Sequence, residues 1–365
     1  MKIIGSVKED LSEEKRISIT PEIIKKFTNL GFSVFLEKNY AEHLGISDQE
    51  YEKLGVNFCN NAKDVFEKAK IILKVNNPSN EEINLIKEET ILIGQLDSNL
   101  NKEIFNKLIK KNIKIFSLNL LPRITRAQSM DVLSSQANLA GYRAVLESVN
   151  EFEKAVPMMM TAAGTVAPAK VLIIGAGVAG LQAIATAKRL GAIVMATDVR
   201  IIAKEQVESL GGKFLTVEGE ENLETEEGYA KEPSEEFKKK QSELLKESVK
   251  KSDIIICTAL IPGKKAPKII SEDMVKSMKP GSVVYDLAVG QGGNSAYSEA
   301  NKVKIVNGVK IMGKKNILNS LPFTASNLYA KNLFNFLNNL YDKNKKDIYI
   351  NKEDEIINKT LIDKV

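Results

Sequence analysis

The stretch KVLIIGAGVAGLQAIATAKRLG, residues 170–191, constrains the fold of this chain more than any other. A run of aliphatic residues leads into Gly-Ala-Gly-Val-Ala-Gly, and an alanine- and leucine-rich segment of helical spacing follows. The spacing predicts a strand that turns straight into a helix, with a separate purpose for each glycine. Gly175 permits the tight turn, Gly177 lets a ligand approach the backbone, and Gly180 lets helix and strand pack closely; Ala176 and Val178 complete the turn. The first amides of the helix lack partners within it and sit at the positive end of its dipole, so the turn suits an anion such as a pyrophosphate. The next strand, AIVMATD, ends at Asp198, eighteen residues beyond Gly180. A carboxylate there accepts hydrogen bonds from ribose hydroxyls and repels a 2′-phosphate, which predicts a Rossmann-type site for NAD(H). Arg200, two residues on, keeps NADP open as an alternative, and a tight turn with no ligand is the plainer reading.

Upstream of this unit, short apolar runs alternate with amphipathic stretches: KIIGSVK and PEIIKKFTNL, SVFLEKN and DQEYEKL, IILKVN and NEEINLIKE, TILIGQLD and NKEIFNKLIKK, then KIFSLNLL. Strands alternating with helices imply a parallel sheet covered on both faces. Residues 127–154 then read as one long helix bridging two domains, and PMMMTAAGTVAP as a loop whose Met158, Met159 and Met160 fill packing space. Further strands fall at DIIICTAL and SVVYDLAV, the sheet pattern stops near Lys310, and NLYAKNLFNFLNNLYDK reads as a closing helix. The charge-rich segment 218–251 reads as a mobile loop running into a helix near Glu235. The expected architecture is α/β, with two Rossmann-like doubly wound parallel-sheet domains joined by long helices and a cleft between them. The first comprises residues 1–134 and 310–365, with the closing helix returning to it; the second, residues 135–309, is the NAD(H)-binding domain. A chain of 365 residues has room for two such cores.

Composition narrows the function. Lysines spread along the whole chain produce the net charge of +5, so no basic patch speaks for nucleic acid. Cys59 and Cys257 share no ligand spacing, which argues against a metal site and fits a reduced compartment. The opening MKIIGSVKED is charged too early for a signal segment, and no apolar run reaches the roughly 18 residues of a membrane span, so no direct membrane insertion is expected.

A dehydrogenase acting on a hydroxy or amino acid needs a general base, most often histidine. The only histidine, His43, lies between a strand and a helix and reads as a surface or packing residue. Hydride passing directly between two nicotinamides moves from carbon to carbon and needs positioning rather than an acid or base. The richest polar constellation outside the glycine turn is PRITRAQSMDVLSSQ, which follows the last strand of the first domain, where α/β ligands bind. Arg123, Gln128, Asp131 and Ser134 could ring a carboxamide and ribose with donors and acceptors; equally, Ser129 or Thr125 could cap a helix with the rest solvated. Lys8, Arg16 and Lys74 resemble carboxylate ligands, although each alone reads as a solvated charge.

Several long motifs, RAQSMDVLSSQANLAGYRAV, APAKVLIIGAGVAGLQAIATAKRLGA, ATDVR, EQVESLGGKF, GYAKE, ALIPGKKAPKII and MVKSMKPGS, closely resemble the NAD(H)-binding alpha subunit of proton-translocating NAD(P)+ transhydrogenase, in order and across nearly the whole chain. The resemblance implies that Arg123, Gln128 and Asp131 hold the dihydronicotinamide, that Ser134 supports Asp131, and that Ser129 and Met130 line the same stretch. It implies that Gln128 reaches toward a second nucleotide on a partner subunit. It also implies cofactor contacts from Val178 and from Asp198, Val199 and Arg200, a closing loop that carries Tyr229, and a site lined by Gly228, Gln241, Ala259 and Leu260.

The reaction so implied is reversible hydride transfer from NADH to NADP+, coupled in the full complex to inward proton movement, with NADP(H) on another subunit. The family also includes longer alpha chains with membrane helices. This chain resembles the split form: a homodimer on the cytoplasmic face, peripheral to the membrane through NADP-binding and membrane-spanning partners. Alanine dehydrogenase is the alternative, since KEDLSEEKRISITP and ILKVNNP correspond to its pattern. Where that enzyme has a catalytic histidine, however, this chain has Gln95 followed by Leu96 and Asp97, and where it has an aspartate before QGG, this chain has Gly290. Gly290 departs from the transhydrogenase pattern too, which usually carries an acid there.

Overall fold

The computed structural model describes residues 2–98, 101–216, 234–260 and 265–364; the side chains of residues 237, 238 and 241 also lie outside the description. The chain forms two compact units, residues 1–136 with 318–365, and residues 137–317. Both sheets are parallel with one antiparallel edge strand each, so the α/β expectation holds.

In the first unit the strands lie in the order Asn57–Cys59, Phe32–Glu37, Lys2–Ser6, Ile71–Leu73, Ile91–Gly94, Lys114–Ser117 and Leu361–Ile362. Chain order reverses between Lys2–Ser6 and Ile71–Leu73, which makes their C-terminal ends the switch point of this sheet. Ile71, Ile72 and Leu73 are all buried, as expected of a central strand covered on both faces. The helix Pro21–Asn29 begins on proline and buries Ile23, Ile24 and Phe27 on one stripe. The closing helix, Pro322–Leu340, packs Tyr329, Leu333, Phe336 and Leu337 into the same core as Ile4, Val34 and Leu73. The strand Asn57–Cys59, the helix Ala62–Lys68 and the terminal strand were not foreseen; two or three residues of β structure carry too little pattern to read.

In the second unit the order is Lys213–Phe214, Ile193–Thr197, Lys170–Ile174, Ile254–Cys257, Val283–Asp286, Val309–Gly313 and Lys302–Val306. This order, with its reversal between Lys170–Ile174 and Ile254–Cys257, is that of a dinucleotide-binding sheet. The sheet ends at Gly313, close to the expected Lys310, but its last hairpin was not foreseen. Val309–Gly313 pairs in parallel with Val283–Asp286 and turns back on Lys302–Val306 as the edge. Lysines at 302, 304 and 310 mask the apolar alternation of that hairpin in the sequence.

Two other expectations need correction. Residues Met159–Thr161 and Gly164–Val166 form an antiparallel hairpin, and Met158, Met159 and Met160 are 60%, 42% and 80% exposed rather than packed. The long helix starts at Val132, not Ala127: Thr125–Met130 is a tighter 3-10 turn, and Asp131, at φ −71° and ψ 94°, separates it from the helix Val132–Glu151.

Candidate functional site

The strand Lys170–Ile174 delivers the glycine turn to the switch point of the second sheet, beside the end of Ile254–Cys257. Gly175 sits at φ +92°, which favours glycine, and a Cβ there would meet Thr258 Oγ1 at 2.7 Å. A Cβ on Gly180 would stand 1.9 Å from the Gly175 carbonyl oxygen, so helix and strand touch through bare backbone. Gly177 differs: the nearest atom to its Cβ position is Arg200 Nη2, 3.9 Å away. The helix Val178–Arg189 starts from Gly177 with no side-chain cap, and Val178 is exposed at its first turn. An uncapped helix N-terminus above open backbone at a switch point is a cradle that fits a dinucleotide pyrophosphate.

Asp198 stands beside this cradle, but its carboxylate is turned toward its own chain. Oδ2 accepts from the Ala176 amide at 2.7 Å and from Arg200 Nη2 at 2.9 Å, while Oδ1 accepts from Arg200 N and Nε, each at 2.9 Å. A carboxylate has about four lone-pair sites, and all four are in use. The sequence reading of Asp198 as a ready ribose acceptor omitted this pairing, because one aspartate accepting from an arginine two residues away depends on how the backbone bends after the strand. Val199 lies between the two, partly exposed.

Ala259 follows the neighbouring strand, and Asn294 brackets its backbone. The Ala259 amide donates to Asn294 Oδ1 at 3.1 Å, and Asn294 Nδ2 donates to the Ala259 and Pro267 carbonyls, both at 2.9 Å. The Asn294 amide in turn donates to Asp286, a buried carboxylate that also accepts from the amides of Ala288 and Ser295 and from the Ser298 hydroxyl. Leu260 next to Ala259 is exposed. Neither Asn294 nor Asp286 was legible in advance, since their partners lie up to 35 residues away. Gly228, Tyr229 and the side chain of Gln241 lie outside the described residues.

In the first unit the turn Thr125–Met130 presents Gln128 and Ser129 to solvent, and Arg123 just before it is exposed as well. Asp131 caps the following helix: its Oδ1 accepts the Ser134 amide at 2.9 Å and its Oδ2 the Ser134 hydroxyl at 2.5 Å. The cap is therefore Asp131, not Ser129 or Thr125. Met130 is buried in the unit's core, so it anchors the turn from beneath.

At the first sheet's switch point the basic residues are already paired. Lys74 Nζ lies 2.8 Å from Glu82 Oε1 and 3.4 Å from Glu9 Oε2. Arg16 grips Glu14 with Nε and Nη2, at 2.9 and 2.7 Å, and its Nη1 donates to Gln95 and Gln136. Burial works against the Lys74 ammonium, but Glu9 and Glu82 outweigh it and its pKa moves up; the Arg16 guanidinium, equally buried, is held up by Glu14. His43 is exposed with Nε2 on the Lys15 carbonyl, at 2.8 Å. Gly290 lies exposed in the turn Val289–Gln291, and a Cβ there meets nothing nearer than the Lys315 carbonyl at 3.8 Å. Nothing steric accounts for the missing acid.

Comparison with known proteins places the chain. The family model described as alanine dehydrogenase/PNT, N-terminal domain, matches residues 5–140, and that described as alanine dehydrogenase/PNT, C-terminal domain, matches residues 144–364. The first of the parts into which the NAD(P) transhydrogenase alpha subunit of Rhodospirillum rubrum is divided is 50% identical over 366 residues, covering 98% of this chain and 95% of that one. An alanine dehydrogenase of Methanococcus maripaludis is 31% identical over 295 residues, covering 80% and 73%. The crystal structure of transhydrogenase from Sinorhizobium meliloti superposes with a TM-score of 0.90 at 46% identity, covering 100% of this chain and 99% of that one. With the two domain models together matching residues 5–140 and 144–364, and with higher identity to the transhydrogenase alpha subunit than to the alanine dehydrogenase, the chain belongs to the alanine dehydrogenase/PNT family, on its NAD(P) transhydrogenase side.

Proposed function

We propose that this chain is the NAD(H)-binding subunit of a proton-translocating NAD(P)+ transhydrogenase. The unit 137–317 holds the dinucleotide, with the pyrophosphate over Gly175, Ala176, Gly177 and Val178 and the adenosine ribose near Asp198, Val199 and Arg200. Ribose binding then requires the Arg200 guanidinium to release Asp198, since no acceptor site is left on the carboxylate in the paired state. NADH, when bound, supplies the hydride, and NADP+ on a partner subunit receives it. Arg123 and Gln128 bind and orient the dihydronicotinamide; Asp131, fixed by Ser134, holds its carboxamide. None of these residues needs to move a proton, because hydride transfer between two nicotinamides calls for alignment alone. In the complete assembly we place a homodimer of this chain peripherally at the cytoplasmic face, joined to NADP-binding and membrane-spanning subunits that couple the transfer to proton movement. Among the described residues no helix is long and apolar enough to cross a membrane.

The observation that carries this reading against alanine deamination is Gln95, which accepts from Arg16 Nη1 at the first sheet's switch point: its amide is neither an acid nor a base near neutral pH, whereas deamination needs such a group. The test is to mix the purified chain with a transhydrogenase NADP-binding domain and follow hydride transfer from NADH to an NADP+ analogue. Transfer that requires both components supports the proposal; a folded, NADH-binding chain that transfers nothing overturns it. NAD+ reduction driven by alanine would revive the other reading.

A further inference from the structure

The turn Thr125–Met130 has 3-10 geometry, which binds more weakly than an α-helix, and at its two ends the Ala127 amide donates to Ile124 O at 2.9 Å and the Asp131 amide to Gln128 O at 3.3 Å. The closing helix adds side-chain contacts from outside the turn. Asn332 Nδ2 and Asn335 Nδ2 both donate to the Ser129 carbonyl oxygen at 2.9 Å, filling its two lone pairs. Three residues apart on the helix Pro322–Leu340, they present their amides side by side. Asn332 Oδ1 also accepts the Ser135 hydroxyl at 2.7 Å, which ties the first turn of the next helix to the same side chain. At the other end of the turn, Arg126 reaches both oxygens of Asp354, at 2.6 and 2.9 Å, and Asp354 caps the helix Glu355–Thr360.

Ser129 follows Gln128 and lies two residues before Asp131. A carbonyl gripped by two amides therefore fixes the backbone between the residue proposed to face the second nucleotide and the residue proposed to hold the carboxamide. We infer that Asn332 and Asn335 are positioning residues that set the Gln128–Asp131 segment for hydride transfer without touching either nucleotide. The inference rests on the transhydrogenase reading for its consequence, and on the two amide contacts for its geometry. Misplacing a reacting group by ~1 Å can slow a reaction roughly a hundredfold, so loss of this grip is felt in rate before it is felt in binding.

The test uses the full chain and the variants Asn335→Ala, Asn335→Gln and the double variant Asn332→Ala/Asn335→Ala, with Asn338→Ala, exposed on the same helix, as control. Without any nucleotide, amide hydrogen exchange at Ala127 and Asp131 should accelerate about tenfold or more in the double variant while the sheet strands keep their protection. With an NADP-binding partner, its hydride transfer should fall roughly ten- to a hundredfold while the Kd for NADH stays within about threefold. Asn335→Gln, which retains an amide donor, should recover most of the rate lost in Asn335→Ala. If the double variant loses sheet protection as well, Asn335→Ala alone decides the matter by the same two readouts. Unchanged exchange in the turn overturns the inference. So does wild-type transfer beside equally fast transfer by the variants. A wild-type chain that binds NADH and transfers nothing overturns the transhydrogenase reading, and this role falls with it.

Discussion

Replacing Gly177 or Gly180 by alanine adds the same methyl group three residues apart, and the structure sets opposite consequences for the two. At Gly180 the new Cβ would lie 2.9 Å from the Gly175 carbonyl carbon and 1.9 Å from its oxygen, the latter more than an ångström inside the 3.0 Å floor of real Cβ contacts. Both atoms belong to backbone, so the helix Val178–Arg189 must lift off its strand. Forced overpacking of this kind costs about 1–3 kcal/mol or more. For a unit of this size each kcal/mol lowers Tm by about 2–4 °C, so Gly180→Ala should melt ~2–12 °C lower. At Gly177 the backbone has φ −75°, which alanine adopts freely, and the nearest atom is 3.9 Å away. Gly177→Ala should keep or slightly raise Tm, since removing a glycine from an unstrained position stabilises by about 0.4–1 kcal/mol through the unfolded chain. Its methyl group instead occupies the space through which an anion reaches the helix amides. Losing one hydrogen bond to a charged group costs about 1.5–3 kcal/mol, so NADH should bind roughly ten- to a hundredfold more weakly. Calorimetry and a fluorescence titration with NADH measure both quantities on the same samples. A Gly177→Ala chain that binds NADH like wild type, or a Gly180→Ala chain that melts like it, would refute the reading of the turn.

Gln128→Asn shortens an exposed side chain by one methylene; it should slow hydride transfer to a partner-bound NADP+ analogue at least tenfold more than it weakens NADH binding, and equal losses in stopped-flow and titration would contradict the positioning role. Gly290→Asp places a carboxylate where the nearest atom is 3.8 Å from the Cβ; stability in urea melts should change by no more than about 0.5 kcal/mol, and alanine-dependent NAD+ reduction should not appear, because Gln95 still supplies no acid or base. The Arg126 guanidinium beside Asp354 holds that carboxyl below the usual aspartate range, so its stabilisation is present above the unfolded value near 3.9 and disappears as pH falls through the lower folded value. Asp354→Asn, which can still cap its helix, should therefore cost up to about 1 kcal/mol in urea melts at pH 7, with the gap to wild type closing as pH drops below ~4; a gap independent of pH would assign the effect to the cap instead.

Much of the fold follows from signals carried within ten or twenty residues. The strand before Gly175, the helix after it, the alternation of strands and helices from Lys2 to Ser117 and the periodic run of the closing helix each state their own secondary structure, because burial of one face imposes a repeat that neighbouring residues share. The glycine turn was legible for the same reason: its three glycines answer to one local geometry. The long family motifs extended that reading to Arg123, Gln128, Asp131 and Ser134. What tertiary structure alone decided lies in the choice of partner, near or far along the chain. That Asp131 rather than Ser129 starts the long helix depends on a carboxylate finding the amide of Ser134, in competition with other possible caps. That Asp198 is saturated by Arg200, that Arg16 and Lys74 are neutralised by Glu14, Glu9 and Glu82, and that Ser129 is gripped by Asn332 and Asn335 are facts about pairings. The identities of the residues permitted each of these bonds and many others. Only the packed chain, which brings Asn335 within 3 Å of Ser129 across 206 positions of sequence, selected among them.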